Sequence, residues 1–154
     1  MAHNNLGAVL QELGEYQKAA LSYQKAIQIQ PNFAEAHSNL GATLKELGER
    51  QKAISCYQEA IKIQPDNAEA HYNLGIVFKE LGEHQKAITC NEKAINLKPD
   101  HAKAYNNILF TLLHFEKDNF NLNYGISMQF NIPLGNGGKL CKEAAKTIRF
   151  HCKG

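Results

Sequence analysis

The chain of 154 residues has no tryptophan, two methionines, four cysteines and four prolines. It carries almost no excess charge: 17 Lys and Arg against 15 Asp and Glu leave +2 with histidine neutral. That balance gives no electrostatic reason to hold nucleic acid or an anionic membrane, and neither is expected as a partner. No run of 18 or more apolar residues occurs, so no transmembrane helix is expected. The opening Met-Ala-His-Asn-Asn has no basic stretch followed by an apolar one, so no secretory signal is expected. The four cysteines, Cys56, Cys90, Cys141 and Cys152, include no C-x-x-C pair. Cys56 and Cys90 share one slot of adjacent repeats, where packed helices lie roughly 10 Å apart, too far for a disulfide. Free thiols in a reducing cytoplasm are the expectation.

What the chain has in abundance is itself. A-E-A-H-x-N-L-G, then K-E-L-G-E-x-Q-K-A-I, then A-I-x-x-x-P recur along it at a period of 34. Leu6-Gly7, Leu40-Gly41 and Leu74-Gly75 open successive copies, and Pro31, Pro65 and Pro99 close them. Each copy reads as two helices. In the second copy the first helix spans about Ala34 to Leu47, with Ala36, Leu40, Thr43, Leu44 and Leu47 on one face at spacings of three and four. Gly48 supplies the left-handed residue that ends it. The second helix spans about Gln51 to Ile63, with Ala53, Ile54, Tyr57, Ala60 and Ile61 inward, until Pro65 stops it. Asn32 to Glu35 and Asp66 to Glu69 have the pattern of a capping box. Gly41 and Ala53 are small enough for close helix approach. Tyr23 and Tyr57 are expected to fill the space between neighbouring repeats, and Asn91 breaks that slot in the third copy.

These residues resemble the tetratricopeptide repeat, whose period is also 34. Three copies span about Met1 to Asp100, and the first helix of a fourth, Ala102 to Phe115, follows. Within that family the chain is most similar in flavour to the superhelix preceding the catalytic part of O-linked N-acetylglucosamine transferases. Their repeats also read F-A-E-A-H-S-N-L-G, as Phe33 to Gly41 does here, and Ala104 to Asn119 resembles the exit from such an array. The resemblance implies an all-α, right-handed solenoid, with the first helix of each copy lining a concave side. The expected organisation is a repeat array over 1–117 and an atypical segment over 118–154.

One slot of the first helix is asparagine in every copy: Asn5, Asn39, Asn73 and Asn107. A carboxamide offers a donor and an acceptor. A row of them at the repeat spacing could pair with the backbone of an extended peptide, and the resemblance to the transferase superhelix implies that role. The competing reading is a consensus residue that faces solvent or ties adjacent helices. Neighbouring slots add Ser38, Tyr72, Ile76, Phe110, Lys45 and Lys79 to the lining. Family members that clamp the carboxylate of chaperone tails need Lys and Asn at positions that here hold Asn4, Ser38, Tyr72, Ala42 and Ile76. Chaperone-tail binding is therefore not predicted.

Nothing points to catalysis. His3, His37 and His71 recur, but one repeat apart they cannot converge on a metal, and packing against the partner helix is expected. Glu12, Glu46 and Glu80 read as a solvated charged face. Gly135 to Lys139 lacks the full phosphate-loop pattern and reads as a turn. Cys141 with His151 has no orienting partner. About forty residues after the array are too few for a glycosyltransferase domain. No cofactor and no metal is expected.

The pattern fails in the fourth copy. Ile108, Leu109, Phe110, Leu112, Leu113 and Phe115 leave little polar face, and Leu109 replaces the glycine, so this helix wants cover on several sides. Asp118 to Asn123 reads as a loop. Tyr124, Ile126, Met128, Phe130 and Ile132 then alternate with polar residues or glycine as in a strand, and Lys139 to Phe150 reads as a short amphipathic helix. The tail pairs with another chain, lies over the fourth-copy helix, or is poorly ordered. The leading expectation is a cytoplasmic, non-enzymatic scaffold that binds a protein or peptide segment. A second reading is a homodimer built through Leu109, Leu113, Phe115, Ile126, Met128 and Phe130. A third is the targeting arm of a truncated glycosyltransferase.

Overall fold

The computed structural model describes residues 1–119, with side chains through Leu113. Seven helices follow one another: α1 (Ala2–Glu12), α2 (Tyr16–Ile29), α3 (Ala34–Glu46), α4 (Arg50–Ile63), α5 (Ala68–Glu80), α6 (His84–Leu97) and α7 (Ala102–Asn119). There is no strand among the described residues. The expected strand, turn and helix of the tail lie outside them, as do Ile126, Met128, Phe130, Cys141, His151, Cys152 and the side chain of Phe115. Helix α7 continues past Phe115 to Asn119, so Asp118 and Asn119, expected to begin a loop, are helical.

Glycine ends the first helix of each copy through one repeated geometry. Gly14, Gly48 and Gly82 have φ of +74°, +78° and +74°. Around Gly48 the glycine N–H donates to Lys45 O and the next N–H, of Glu49, to Leu44 O, each at 2.9 Å. This pair of bonds satisfies carbonyls that the helix end would leave unpaired. Proline ends the second helix differently. The residue before each proline cannot comfortably stay helical, and Gln30, Gln64 and Lys98 adopt φ near −134°, −133° and −135°.

The start of α5 is capped one residue later than the expected box, by Asn67 and not Asp66, with Asn67 Oδ1 accepting from the Ala70 N–H at 3.0 Å. The start of α3 is not: Phe33 occupies the cap position and no side chain caps it. The box pattern at Asn32 fails because the asparagine sits one residue too early.

Each helix packs against its chain neighbours. Successive odd helices also touch one another, α1 with α3, α3 with α5 and α5 with α7, whereas successive even helices do not. The odd helices are therefore crowded on the inside of a curve and the even ones splay outside it. Ala19, Ala53 and Ala87 are fully buried in the resulting core.

The tyrosines are seated on the glycines of their own repeat, a contact that the sequence reading did not single out. A Cβ added to Gly41 would lie 3.1 Å from the Tyr57 ring, and one added to Gly7 would lie 2.6 Å from that of Tyr23. The missing side chain on the first helix is the seat of the ring on the second. Tyr23 also donates to Gln11 Oε1 at 3.2 Å, within its own copy.

Candidate functional site

The asparagine row occupies one slot of the odd-numbered helices α1, α3, α5 and α7. Asn5 is exposed, Asn39 and Asn73 are half-buried, and Asn107 is buried. Asn39 Nδ2 donates to Asn4 Oδ1 at 3.2 Å, and Asn4 Nδ2 donates to Glu35 Oε1 at 3.0 Å. This chain stitches α1 to α3 through the Asn39 amide nitrogen, and the Asn39 side-chain carbonyl accepts no hydrogen bond among the described residues. Asn73 makes no hydrogen bond among the described residues, so both of its groups are open.

Asn107 departs from the row. Its Oδ1 accepts from Lys79 Nζ at 2.7 Å, and its Nδ2 donates to Asn91 Oδ1 at 3.3 Å. Asn91 in turn donates to Ala87 O at 2.6 Å. The cause is the third-copy substitution: asparagine, where the other copies have tyrosine, places a carboxamide in the core that needs partners. Lys79 also lies 5.0 Å from the centre of the Phe110 ring, a cation–π distance. Lys79, Asn107 and Phe110 are thus brought together at one end of the face, while Lys45 pairs with Glu46 at 2.8 Å.

The lining expected from the sequence changes character along the stack. Toward α1 it is small and polar, with Asn5, Ser38, Asn39 and Ala42, whereas Asn4 is buried. An open depression of about 350 Å³ lies there, bordered by Gln11, Tyr23, Asn39 and Glu46 among others. Toward α7 it is larger and more apolar: Tyr72, Ile76 and Phe110, with Phe110 and Leu113 exposed and Leu109 half-buried.

His101 is a site residue that the sequence reading missed. Its ring packs on Tyr72, with centroids 4.9 Å apart. Nδ1 accepts from the Ala104 N–H at 3.3 Å and so caps α7. Nε2 then carries the proton and reaches Glu69 Oε2 at 3.3 Å. The available signal was its slot, the one where Asn67 caps α5.

The recurrent histidines also make a hydrogen bond that the sequence reading did not foresee. His37 Nε2 lies 2.9 Å from Pro31 O and His71 Nε2 3.1 Å from Pro65 O. Each ties its helix to the proline turn just before it. No group of three His, Cys, Asp or Glu among the described residues could hold a metal. Of the charged row, Glu80 pairs with Arg50 at 3.1 Å, joining the end of α5 to the start of α4 on the surface.

A second depression, about 370 Å³, opens on the other face between α2, α3 and α4, where Ile27, Leu40 and Cys56 meet. Burial pushes the Cys56 thiol up to about 11 and raises that of Cys90. Near pH 8 only about one Cys56 thiol in a thousand is then ionised. Maleimide labelling read by peptide mass spectrometry should modify Cys56 on the order of a hundredfold more slowly than an unhindered thiol. Denaturant should abolish the difference.

Models of the tetratricopeptide repeat match residues 7–48, 43–82 and 68–101. No match was found among curated proteins. Among solved structures, MamA is similar at 28% identity and TM-score 0.74, over 99% of this chain and 80% of that one. An O-GlcNAc transferase mutant from Thermobaculum terrenum is similar at 28% identity and TM-score 0.68, over 72% of this chain. This chain spans only 21% of that transferase's length. The first repeat domain of Spaghetti (RPAP3), solved with an HSP90 peptide, shares the fold at 18% identity and TM-score 0.73, over 75% of this chain and 91% of that one. No helix among the described residues is long and apolar enough to cross a membrane. The repeat-model matches, the 34-residue period and the curved stack of helix pairs agree: the chain belongs to the tetratricopeptide repeat family.

Proposed function

We propose that the chain is an interaction scaffold holding an extended peptide segment along the face lined by α1, α3, α5 and α7. The observation that carries this reading is the pair Asn39 and Asn73. They sit at equivalent points of adjacent copies, with the Asn39 carbonyl and both groups of Asn73 available to a ligand. Adjacent packed helices are about 10 Å apart, and an extended chain advances about 3.3 Å per residue. One repeat then matches roughly three peptide residues, so each asparagine meets the backbone at regular intervals. Backbone pairing of this kind reads extended conformation and not side-chain identity.

Asn5 extends the row toward the N-terminus. At the other end, Tyr72, Ile76 and Phe110 offer apolar contact, and Lys79 with Lys45 adds positive charge. Asn107 serves this reading indirectly, by holding Lys79 beside Phe110. That a related fold is solved with a bound peptide supports the geometry of the face, and the match at 18% identity carries no further than the fold. The cytoplasmic placement belongs to this same proposal.

Replacing Asn39 and Asn73 together with alanine is expected to weaken partner capture by about tenfold, or roughly 1.4 kcal/mol. Thermal unfolding should change little for Asn73→Ala, whose side chain bonds nothing among the described residues. Pull-down followed by titration of the captured segment is the check. Unchanged affinity in the double variant would remove the groove from consideration.

A further inference from the structure

We infer that the depression between α1, α2 and α3 is a pocket for one arginine side chain of the segment held along the asparagine row. The scaffold reading supplies the source of that arginine, and the pocket names chemistry that the segment must carry. Gln11 and Glu12 at the end of α1, Tyr16 and Tyr23 on α2, and Asn39 and Glu46 on α3 border about 350 Å³. Asn39 belongs both to this border and to the row. A side chain entering here therefore hangs from backbone that the row can hold.

The next copy shows what the arrangement accepts. There the corresponding slots hold Lys45, Glu46, Arg50, Tyr57, Asn73 and Glu80. Arg50, at the start of α4, donates from Nε to Glu80 Oε2 at 3.1 Å. The chain thus sets a guanidinium of its own against the glutamate that ends the following odd helix. In the first copy both cations of the set are gone. Gln11 stands in the slot of Lys45, and Tyr16 in that of Arg50. The carboxylates remain, with Glu46 in the slot of Glu80 and Glu12 in that of Glu46. The first-copy depression is the second-copy arrangement with its guanidinium taken out.

Charge and shape on the walls agree with this reading. Glu12 forms no ion pair among the described residues. Glu46 meets Lys45 at 2.8 Å but is exposed, and its carboxylate has room for a second donor. Asn39 Oδ1 accepts no hydrogen bond among the described residues. Burial first, then the Glu35 and Glu12 carboxylates, raise the Tyr23 phenol above its ordinary value, so this wall stands in a negative field. A guanidinium, with several donors and no acceptor, matches such a set of acceptors. Tyr16, half-buried, adds an aromatic face on which a guanidinium can stack.

The probe is N-acetyl-arginine N-methylamide, titrated into the isotopically labelled full chain and followed by amide shifts in NMR. It carries one side chain between two peptide groups, too short to join asparagines about 10 Å apart. It therefore reads the depression and not the row. Saturable binding is expected, with the largest shifts at Glu12, Tyr16, Asn39 and Glu46, and weaker binding at high salt. The citrulline counterpart has the same shape without the charge and should bind about tenfold more weakly. Tyr16→Arg rebuilds the second-copy arrangement and should weaken the arginine probe by about tenfold, since a like charge then fills the site. Glu12→Gln should weaken it by a smaller factor. Circular dichroism should show both variants folded. No saturable binding, equal binding of citrulline, shifts centred elsewhere, or indifference to Tyr16→Arg would overturn the pocket and leave the scaffold reading standing. Unchanged partner capture after Asn39→Ala with Asn73→Ala overturns the scaffold reading instead, a result on which the probe titration does not depend.

Discussion

Replacing Tyr57 with alanine is expected to lower the unfolding free energy by about 3–5 kcal/mol, the range for deleting a fully buried aromatic side chain. Tyr57 is 1% exposed and seated on Gly41. Gly41 cannot fill the vacated space, because it has no side chain to move. The position is central: α4 joins α3 of its own copy to α5 of the next. In a stack whose units touch only their neighbours, damage there weakens coupling in both directions. Urea unfolding followed by circular dichroism should show a lower midpoint and a shallower transition. A loss below about 1 kcal/mol would mean that the stack relaxes around the hole.

The conservative series separates packing from hydrogen bonding. Tyr57→Phe should cost little, whereas Tyr23→Phe should cost about 1 kcal/mol through its bond to Gln11. The phenol adds a pH signature. Burial, with Cys56 and the carboxylates of Glu46, Glu80 and Glu69 adding, pushes Tyr57 well above the ordinary tyrosine value of 10.0. The folded state therefore keeps a proton that the unfolded chain releases. This contribution is fully present below about pH 10 and is lost as pH rises toward the folded value. Tyr57→Phe should reduce the alkaline sensitivity of the stack.

The same two residues mark what could be read from the sequence. Period, helix ends and the inward face of each helix are properties of one segment at a time. Glycine after Leu13, Leu47 and Leu81, and proline after Gln30, Gln64 and Lys98, set those ends by backbone sterics alone. Which neighbour a buried side chain leans on is a property of two segments, and the sequence is silent there. Tyr57 meets Gly41 so closely that a Cβ there would lie 3.1 Å from its ring, a fit that neither helix shows alone. The asparagine slot shows the same divide. Four identical residues invite one role, but Asn107 faces Asn91 where Asn39 has Tyr23 nearby, so its carboxamide is drawn into the core. His101 escaped notice because its role needs Tyr72, Glu69 and the start of α7 in one place.

Replacing Asn91 with leucine is expected to cost about 1–3 kcal/mol, although leucine is apolar and of similar size. The loss comes from its partner: Asn107 Nδ2, buried and now donating at 3.3 Å to Asn91 Oδ1, would have no acceptor there. Replacing Asn107 alone with leucine should cost a similar amount, by stranding Asn91 Oδ1 and releasing Lys79 from its 2.7 Å bond. Changing both together should cost much less than the two single losses added, because no buried polar group is left facing an apolar one. Urea unfolding of the four proteins gives the coupling, expected at about 1–2 kcal/mol. Simple additivity would mean that the two carboxamides do not depend on each other, and that Asn91 is merely a poor filling for the space beside Gly75. A coupled result would show that the third copy exchanged an aromatic seat for a polar network reaching from the core to Lys79. The concave face would then owe the placing of its lysine to a substitution on the opposite helix of the pair.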